Sequence, residues 1–321
     1  MKRLILSTYL LFFFSLFISA QLIVAEKPIV LKTETGDMHG TLKVPESKSA
    51  VPLVIVIAGS GPTDKNGNNM NMKNNSLKML ADGLYFNGIA SLAFDKRGIG
   101  ESKSAGKEEI DLRFEDYVSD VRQWIELLSK DERFSEITII GHSEGSLIGM
   151  MAANDNTNAA KFVSIAGVGQ PAANILREQL KKQLVMQPQM VKDTIYSYID
   201  KLEQGQLINN VPASLNVLFR PSVQPYMISW FKYNPQTELS KLTIPILILQ
   251  GTTDIQVSIS EADMLEKSNP KSRKIILDNM NHVLKNCDFS AMQAQLATYN
   301  DANLPLHKDL VSNITSFIKD K

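Results

Sequence analysis

Cysteine is almost missing from this chain of 321 residues. The one present, Cys287, allows no intrachain disulfide and no thiolate metal cluster. The His-Glu-x-x-His pair is absent too, so a zinc mechanism lacks its ligands and no metal is expected. Neither charge is in excess: Lys+Arg and Asp+Glu both number 34. Without a basic field, nucleic acid is excluded as a partner. The phosphate-cradling pattern Gly-x-x-x-x-Gly-Lys-Ser/Thr does not occur, nor does any internal repeat or low-complexity tract. One glycine pattern has to be weighed. Gly167-Val168-Gly169-Gln170-Pro171-Ala172 has dinucleotide-site spacing after a strand, but no acid follows at the distance that holds a ribose, and the unit falls mid-sheet. No cofactor is expected.

What is present begins with a targeting signal. Lys2 and Arg3 precede an apolar stretch from Leu4 to Ile18, and the small pair Ser19-Ala20 then meets polar Gln21. That is the layout of a secretory signal peptide over 1–20, cleaved after Ala20 or as late as Ala25, and it predicts a secreted or periplasmic protein. The competing reading is an uncleaved membrane anchor, because apolar residues resume at Leu22-Ile23-Val24. Once the signal is cleaved, no stable membrane association is expected. An exported chain without disulfides rests on its core, and 44% hydrophobic residues over this length can build a large one. Glycosylation acceptor patterns at Asn74 and Asn313 matter only in a host that glycosylates.

From residue 26 onward, strand-like runs alternate with helical periodicity. This predicts an α/β fold with a mostly parallel central sheet covered by helices on both faces. Ile29–Lys32 and His39–Val44 read as an antiparallel hairpin, and Pro52–Ala58 as a strand buried on both faces. Further strands are expected at Ile89–Phe94, Ile137–Ile140, Phe162–Ala166, Pro245–Leu249 and Lys274–Leu277. Residues 76–87, Phe114–Leu128, Ser146–Ala153 and Leu306–Ile318 read as helices. Between 171 and 239 the rhythm breaks: only helical stretches (Ile175–Leu184, Met190–Leu202) and aromatic-rich irregular sequence occur. An insertion there is expected to form a helical cap or lid on a core of 26–170 and 240–321, with surface helices as the alternative.

Three segments carry the chemistry. Gly141-His142-Ser143-Glu144-Gly145 follows the strand Ile137–Ile140 and precedes a helix. Such a Gly-x-Ser-x-Gly turn exposes a serine hydroxyl, and its glycines remove side chains that would strike neighbouring backbone. Asp254 follows the strand ending at Gly251, where a carboxylate can hold an imidazole. His282 follows the last strand on the loop Asp278-Asn279-Met280-Asn281. Of the other histidines, His142 should leave the turn in a different direction from Ser143 and serve packing. His39 precedes the catalytic strands, and His307 reads as a surface residue and reserve base. Asp278 competes with Asp254 but lies too near His282 along the chain. Ser143, Asp254 and His282 thus stand in the chain order of an α/β-hydrolase triad.

Negative charge developing on the substrate needs backbone donors. Glu144 N–H is one, and the loop Gly59-Ser60-Gly61-Pro62-Thr63-Asp64 supplies a second. Ser60 N–H is the best placed, although any of three consecutive residues there can serve. Gly59, Gly61, Tyr226 and Trp230 are expected at the substrate pocket. The cluster Tyr226, Met227, Trp230, Phe231 and Tyr233 either lines an acyl pocket or glues the insertion down.

Together with the triad segments, Gly59–Asp64, Asp95-Lys96-Arg97-Gly98-Ile99-Gly100-Glu101-Ser102 and Phe219-Arg220-Pro221-Ser222-Val223-Gln224-Pro225 make the chain resemble bacterial α/β-hydrolases of the esterase and serine-aminopeptidase-like group. The resemblance runs from about residue 30 to the end. It implies Ser143 as nucleophile, His282 as general base and Asp254 as orienting acid. One departure is Ala58-Gly59-Ser60, where many members carry His-Gly. The Asp95–Ser102 segment reads as a structural turn. The expected activity is hydrolysis of carboxylic esters of small to medium acyl groups, with a small-molecule ester as substrate. One alternative is peptidase action on short peptides or aminoacyl amides, with Glu178, Asp193, Asp200, Glu203 and Glu238 available to hold a free amine. Another is an inactive binding protein of the same fold. The oligomeric state has no signature in the sequence.

Overall fold

The computed structural model describes residues 24–288 and 292–320. The signal segment expected at 1–20 lies outside them. Among the described residues, no helix is long and apolar enough to cross a membrane.

Eight strands form one sheet: β1 (Glu26–Thr33), β2 (Gly36–Lys43), β3 (Val51–Ile57), β4 (Ala90–Phe94), β5 (Phe134–His142), β6 (Ala159–Ile165), β7 (Ile246–Gly251) and β8 (Arg273–Leu277). Their spatial order is β1-β2-β4-β3-β5-β6-β7-β8. The β1–β2 hairpin joins β4 antiparallel, and every pair from β4 through β8 is parallel. β3 sits near the middle because its sequence, VPLVIVI, offers apolar side chains to both faces. Successive strand residues point to opposite sides, so Leu53, Ile55 and Ile57 join one core cluster while Val54 and Val56 join the other.

The helices are α1 (Ser76–Phe86), α2 (Phe114–Leu128), α3 (Glu144–Ala153), α4 (Ala172–Gln183), α5 (Gln189–Glu203), α6 (Asn216–Phe219), α7 (Gln224–Phe231), α8 (Pro235–Ser240), α9 (Ile259–Ser268), α10 (Met292–Thr298) and α11 (Leu310–Lys319). Leu77, Leu80 and Leu84 of α1 pack with Leu310 and Ile314 of α11 against one face of the sheet. Phe114, Val121 and Trp124 of α2 cover the other, with Leu147 of α3 and Leu265 of α9. Strands buried on both sides open their carboxyl ends at one rim, where ligands bind in such sheets.

Between β6 and β7 the regular elements of the described chain are all helical, α4 to α8, with irregular stretches between them. Residues from Ala172 to Phe231 there gather around a hydrophobic cluster of their own, including Ile195, Ile199, Leu202 and Phe219. Leu239 of α8 instead joins the core of the sheet.

Three departures from the sequence reading have physical causes. The last helix begins at Leu310, not Leu306, because Leu306 bridges Lys285 and His307 N–H donates to Leu284 O at 2.8 Å. That pairing holds Leu306 and His307 out of the helix, which starts after a turn at 308–309. α9 and α10 were not foreseen. α9 buries only Glu261, Ala262 and Leu265, and α10 buries Gln295 and Thr298, so neither shows an apolar stripe of helical period.

Candidate active site

β5 runs into Ser143, which takes φ 55° and ψ −122° before α3 begins. A non-glycine residue in that region costs of order 1–3 kcal/mol and needs surroundings that hold it there. Ser143 N–H donates to Ile165 O at 2.9 Å, and Ser143 O accepts from Ser146 N–H at 2.9 Å. The turn closes only because its flanks are glycine. A Cβ on Gly141 would stand 2.2 Å from Gly145 O, and one on Gly145 would stand 2.5 Å from Ile57 O. Ser143 is left half-buried at the N-terminus of α3, whose first N–H groups have no partner within the helix.

Asp254 and His282 meet at the same rim. Asp254 Oδ2 lies 2.8 Å from His282 Nδ1, while Oδ1 accepts from Gln256 N–H at 2.8 Å and Val257 N–H at 2.9 Å. Burial alone would raise the Asp254 pKa, but the His282 charge and these hydrogen bonds outweigh it and hold the carboxyl below its ordinary value. A carboxylate only accepts, so in the neutral imidazole the proton sits on Nδ1 and Nε2 keeps its lone pair. Ser143 and His282 line one cavity of about 240 Å³. Among the described residues their side chains are not hydrogen-bonded to each other; such contacts often tighten only with substrate bound.

The loop that carries His282 is braced by polar contacts invisible in the strand pattern. Asn281 Nδ2 donates to Thr298 Oγ1 at 2.7 Å, and Gln295 Nε2 donates to Thr253 O at 2.9 Å. α10 therefore ties the loop of the acid to the loop of the imidazole. His142 packs, as the sequence suggested, and it does so against the imidazole of the site. Its Nε2 lies 2.9 Å from His282 O, and the two rings sit 4.9 Å apart. The carbonyl can only accept, so His142 carries its proton on Nε2; burial, then the neighbouring His282, pushes its pKa down to about 3. His307, expected at the surface, is buried, with Nε2 2.9 Å from Asp278 O, and lines neither cavity at Ser143. A histidine after a proline looks exposed until the chain folds back on the preceding loop.

The residue most plainly missed is Lys96. The Asp95–Ser102 turn is structural, and it also grips the site. Lys96 is only 2% exposed; its Nζ donates to Gly59 O at 2.6 Å, lies 3.6 Å from Glu144 Oε2 and sits 5.1 Å from the Tyr117 ring centre. Burial lowers its pKa, with Glu144 opposing. Asp95 Oδ1 accepts Lys65 N–H at 2.7 Å, and Arg97 Nε donates to Asp120 at 2.8 Å. The Gly59–Ser60 peptide is trans, so fixing Gly59 C=O toward Lys96 turns Ser60 N–H the opposite way. Glu144, whose own N–H opens α3, accepts from Tyr226 Oη through its carboxylate. The sequence signal was there: a lysine directly after a buried strand, at a position where charge is costly.

Ser60 and Ser143 line both the first cavity and a second one, of about 360 Å³. Gly59 lines the first. Gly61, Glu144, Tyr226 and Trp230 line the second, with Leu176, Met227 and Phe231 around them. Tyr233 lines neither cavity and donates to Glu115 at 2.6 Å. The acids considered for amine binding are engaged elsewhere. Asp200 and Glu203 pair with Arg177, Glu238 with Lys241, Glu178 accepts from Gln170, and Asp193 accepts from Gln189. None of the five lines either cavity. Among the described residues, no cluster of three His, Cys, Asp or Glu side chains is arranged to hold a metal ion.

A parallel sheet with helices on both faces and a Gly-x-Ser-x-Gly elbow facing an Asp–His pair defines the α/β-hydrolase class. The family model for serine aminopeptidase, S33, matches residues 70–286, and the chain belongs to that family. Esterase EstD of Thermotoga maritima is 25% identical over 251 residues, which cover 77% of this chain and 58% of that protein. The chain thus spans less than two thirds of that relative's length. Est1E from Butyrivibrio proteoclasticus superposes with a TM-score of 0.57 at 14% identity, covering 91% of this chain and 99% of its own. An esterase of Pyrococcus furiosus gives 0.59 at 14%, covering 92% and 90%. At those identities the structures speak for the fold.

Proposed function

We propose that this chain is a serine hydrolase that cleaves carboxylic esters of small to medium acyl groups. Ser143 attacks the ester carbonyl while His282 Nε2 takes its proton. The oxyanion is received by Glu144 N–H and Ser60 N–H; the alcohol leaves with the proton from His282, and water then releases the acyl group by the same route. Asp254 keeps the imidazole in the tautomer this needs. Lys96 is a positioning residue, holding the Gly59–Ser60 peptide so that its N–H faces away from the core. The single observation that carries the reading is the Asp254–His282 hydrogen bond on a cavity shared with the strained Ser143 elbow. Esterase EstD, the relative in sequence, supports ester over amide substrates.

The peptidase reading draws on the family's description, but the acids able to hold a free amine are paired away from Ser143. We extend the proposal to the insertion, whose α4 and α7 wall the second cavity as a cap, and to export through residues 1–20. N-terminal sequencing of the protein recovered outside the cytoplasm checks the latter. A fluorophosphonate probe should label Ser143, and Ser143→Ala should lower p-nitrophenyl butyrate turnover by about 10⁶-fold. Full turnover by that variant would rule the mechanism out.

A further inference from the structure

The two cavities that meet at Ser143 differ in chemistry, and the hydrolase reading decides which holds which half of the ester. The leaving oxygen must take its proton from His282, so the alcohol lies in the cavity that His282 lines. The acyl chain is left the other one, walled by Leu176, Met227, Trp230 and Phe231.

The cavity at His282 has polar and apolar lining in nearly equal shares, whereas the other is mainly apolar. Thr63, Asn69, Tyr299 and Gln256, the last shared with the other cavity, line the one at His282, while Met72 and Val283 supply apolar patches between them. Part of that hydrogen-bonding capacity is unspent among the described residues. Asn69 accepts from Asn71 N–H through Oδ1 and keeps its amide N–H₂. Gln256 donates to Tyr299 Oη at 3.1 Å and keeps its own oxygen. Among the described residues no Asp, Glu, Lys or Arg lines the cavity, so none of them pairs there with a charged alcohol. Neutral donors and acceptors interleaved with small apolar faces match a sugar ring, whose hydroxyls point outward from C–H faces. A linear alkyl alcohol would strand those polar groups without partners.

We propose that the natural substrates are acyl esters of a neutral sugar, with the sugar in the Asn69–Gln256–Tyr299 cavity and the acyl chain against α4 and α7. The inference rests on the hydrolase reading above.

The test is a butyrate series with one acyl group and varied alcohols: 6-O-butyryl methyl glucoside, hexyl butyrate and butyrylcholine, compared by kcat/KM. The sugar ester should exceed hexyl butyrate by about tenfold or more, with butyrylcholine lowest. Asn69→Leu should shrink the sugar-to-hexyl ratio severalfold, and probe labelling of Ser143 in that variant reports whether its site is still folded. Hexyl butyrate turned over as fast as the sugar ester overturns the inference, as does an unchanged ratio in a labelled Asn69→Leu. Fluorophosphonate labelling and p-nitrophenyl butyrate turnover on the same wild-type sample separate the two failures. If both are present without a sugar preference, only the substrate class falls. If both are absent, the hydrolase reading falls and takes this inference with it.

Discussion

The sheet rim and the helical insertion facing it are held in opposite ways. At the rim, polar groups fix backbone: Asp254 collects two N–H groups, Lys96 a carbonyl, and Asn281 and Gln295 cross-brace two loops. In the insertion, Ile195, Ile199, Leu202 and Phe219 exclude water around a small core, and shape rather than direction decides the packing. A hydrogen bond specifies an atom to a few tenths of an ångström, whereas apolar contact tolerates a change of side chain if volume is kept. On the proposed reading, the chemistry falls on the part that cannot slide, and selectivity on the part that can be repacked. The two meet at α7. Tyr226 Oη donates to Glu144, Phe114 N–H donates to Ser229 Oγ at 2.8 Å, and both Arg220 and Ser222 bond Glu109.

That contrast predicts large effects at the rim and graded ones in the insertion. Asp254→Asn leaves the shape intact but admits the wrong imidazole tautomer. It should lower kcat on p-nitrophenyl butyrate by about 10³–10⁴-fold, and a loss under tenfold would detach Asp254 from the mechanism. Lys96→Met frees Gly59 C=O and should lower kcat about 10–100-fold with KM within about twofold. A purely structural lysine would instead show as a lowered Tm with kcat retained by the folded fraction. Leu176→Trp, on the wall of the acyl cavity, should leave acetate esters nearly untouched and cut the hexanoate-to-acetate ratio of kcat/KM about tenfold. An unchanged ratio would move the acyl chain out of that cavity.

The last effect concerns pH and stability rather than catalysis. In the unfolded chain His142 takes up a proton as pH falls through about 6.5, whereas burial holds the folded pKa at about 3. Between those values the unfolded state binds the extra proton, so stability is complete above the upper one and declines on acidification by about 1.4 kcal/mol per pH unit. His142→Gln should flatten Tm against pH over this range by about one proton. An identical slope would mean His142 is not held neutral by the fold.

Much of the scaffold was legible because each strand announces itself locally. PLVIVIA and ILIL are short apolar runs bounded by turn residues, as a doubly covered strand requires, and Phe114–Leu128 carries an apolar stripe of helical period. The three chemical segments could be read because each needs a local turn after a strand. α9 and α10 were not legible, since their buried faces include Glu261, Gln295 and Thr298, whose partners lie on other elements. Nor were the partner of His142 and the burial of His307, which depend on loops folding back from residues 140 and 29 positions away.

The chain itself determines which residue types stand at strand ends, and in what order, because periodicity and glycine placement are local properties. Only the tertiary structure decides that Lys96 reaches Gly59 O and Glu144, and that Ser143 opens onto one cavity of mixed lining and one mainly apolar. Those outcomes come from surfaces of distant segments meeting. Burial and hydrogen bonding between them depend on distances through space, which separation along the sequence does not encode.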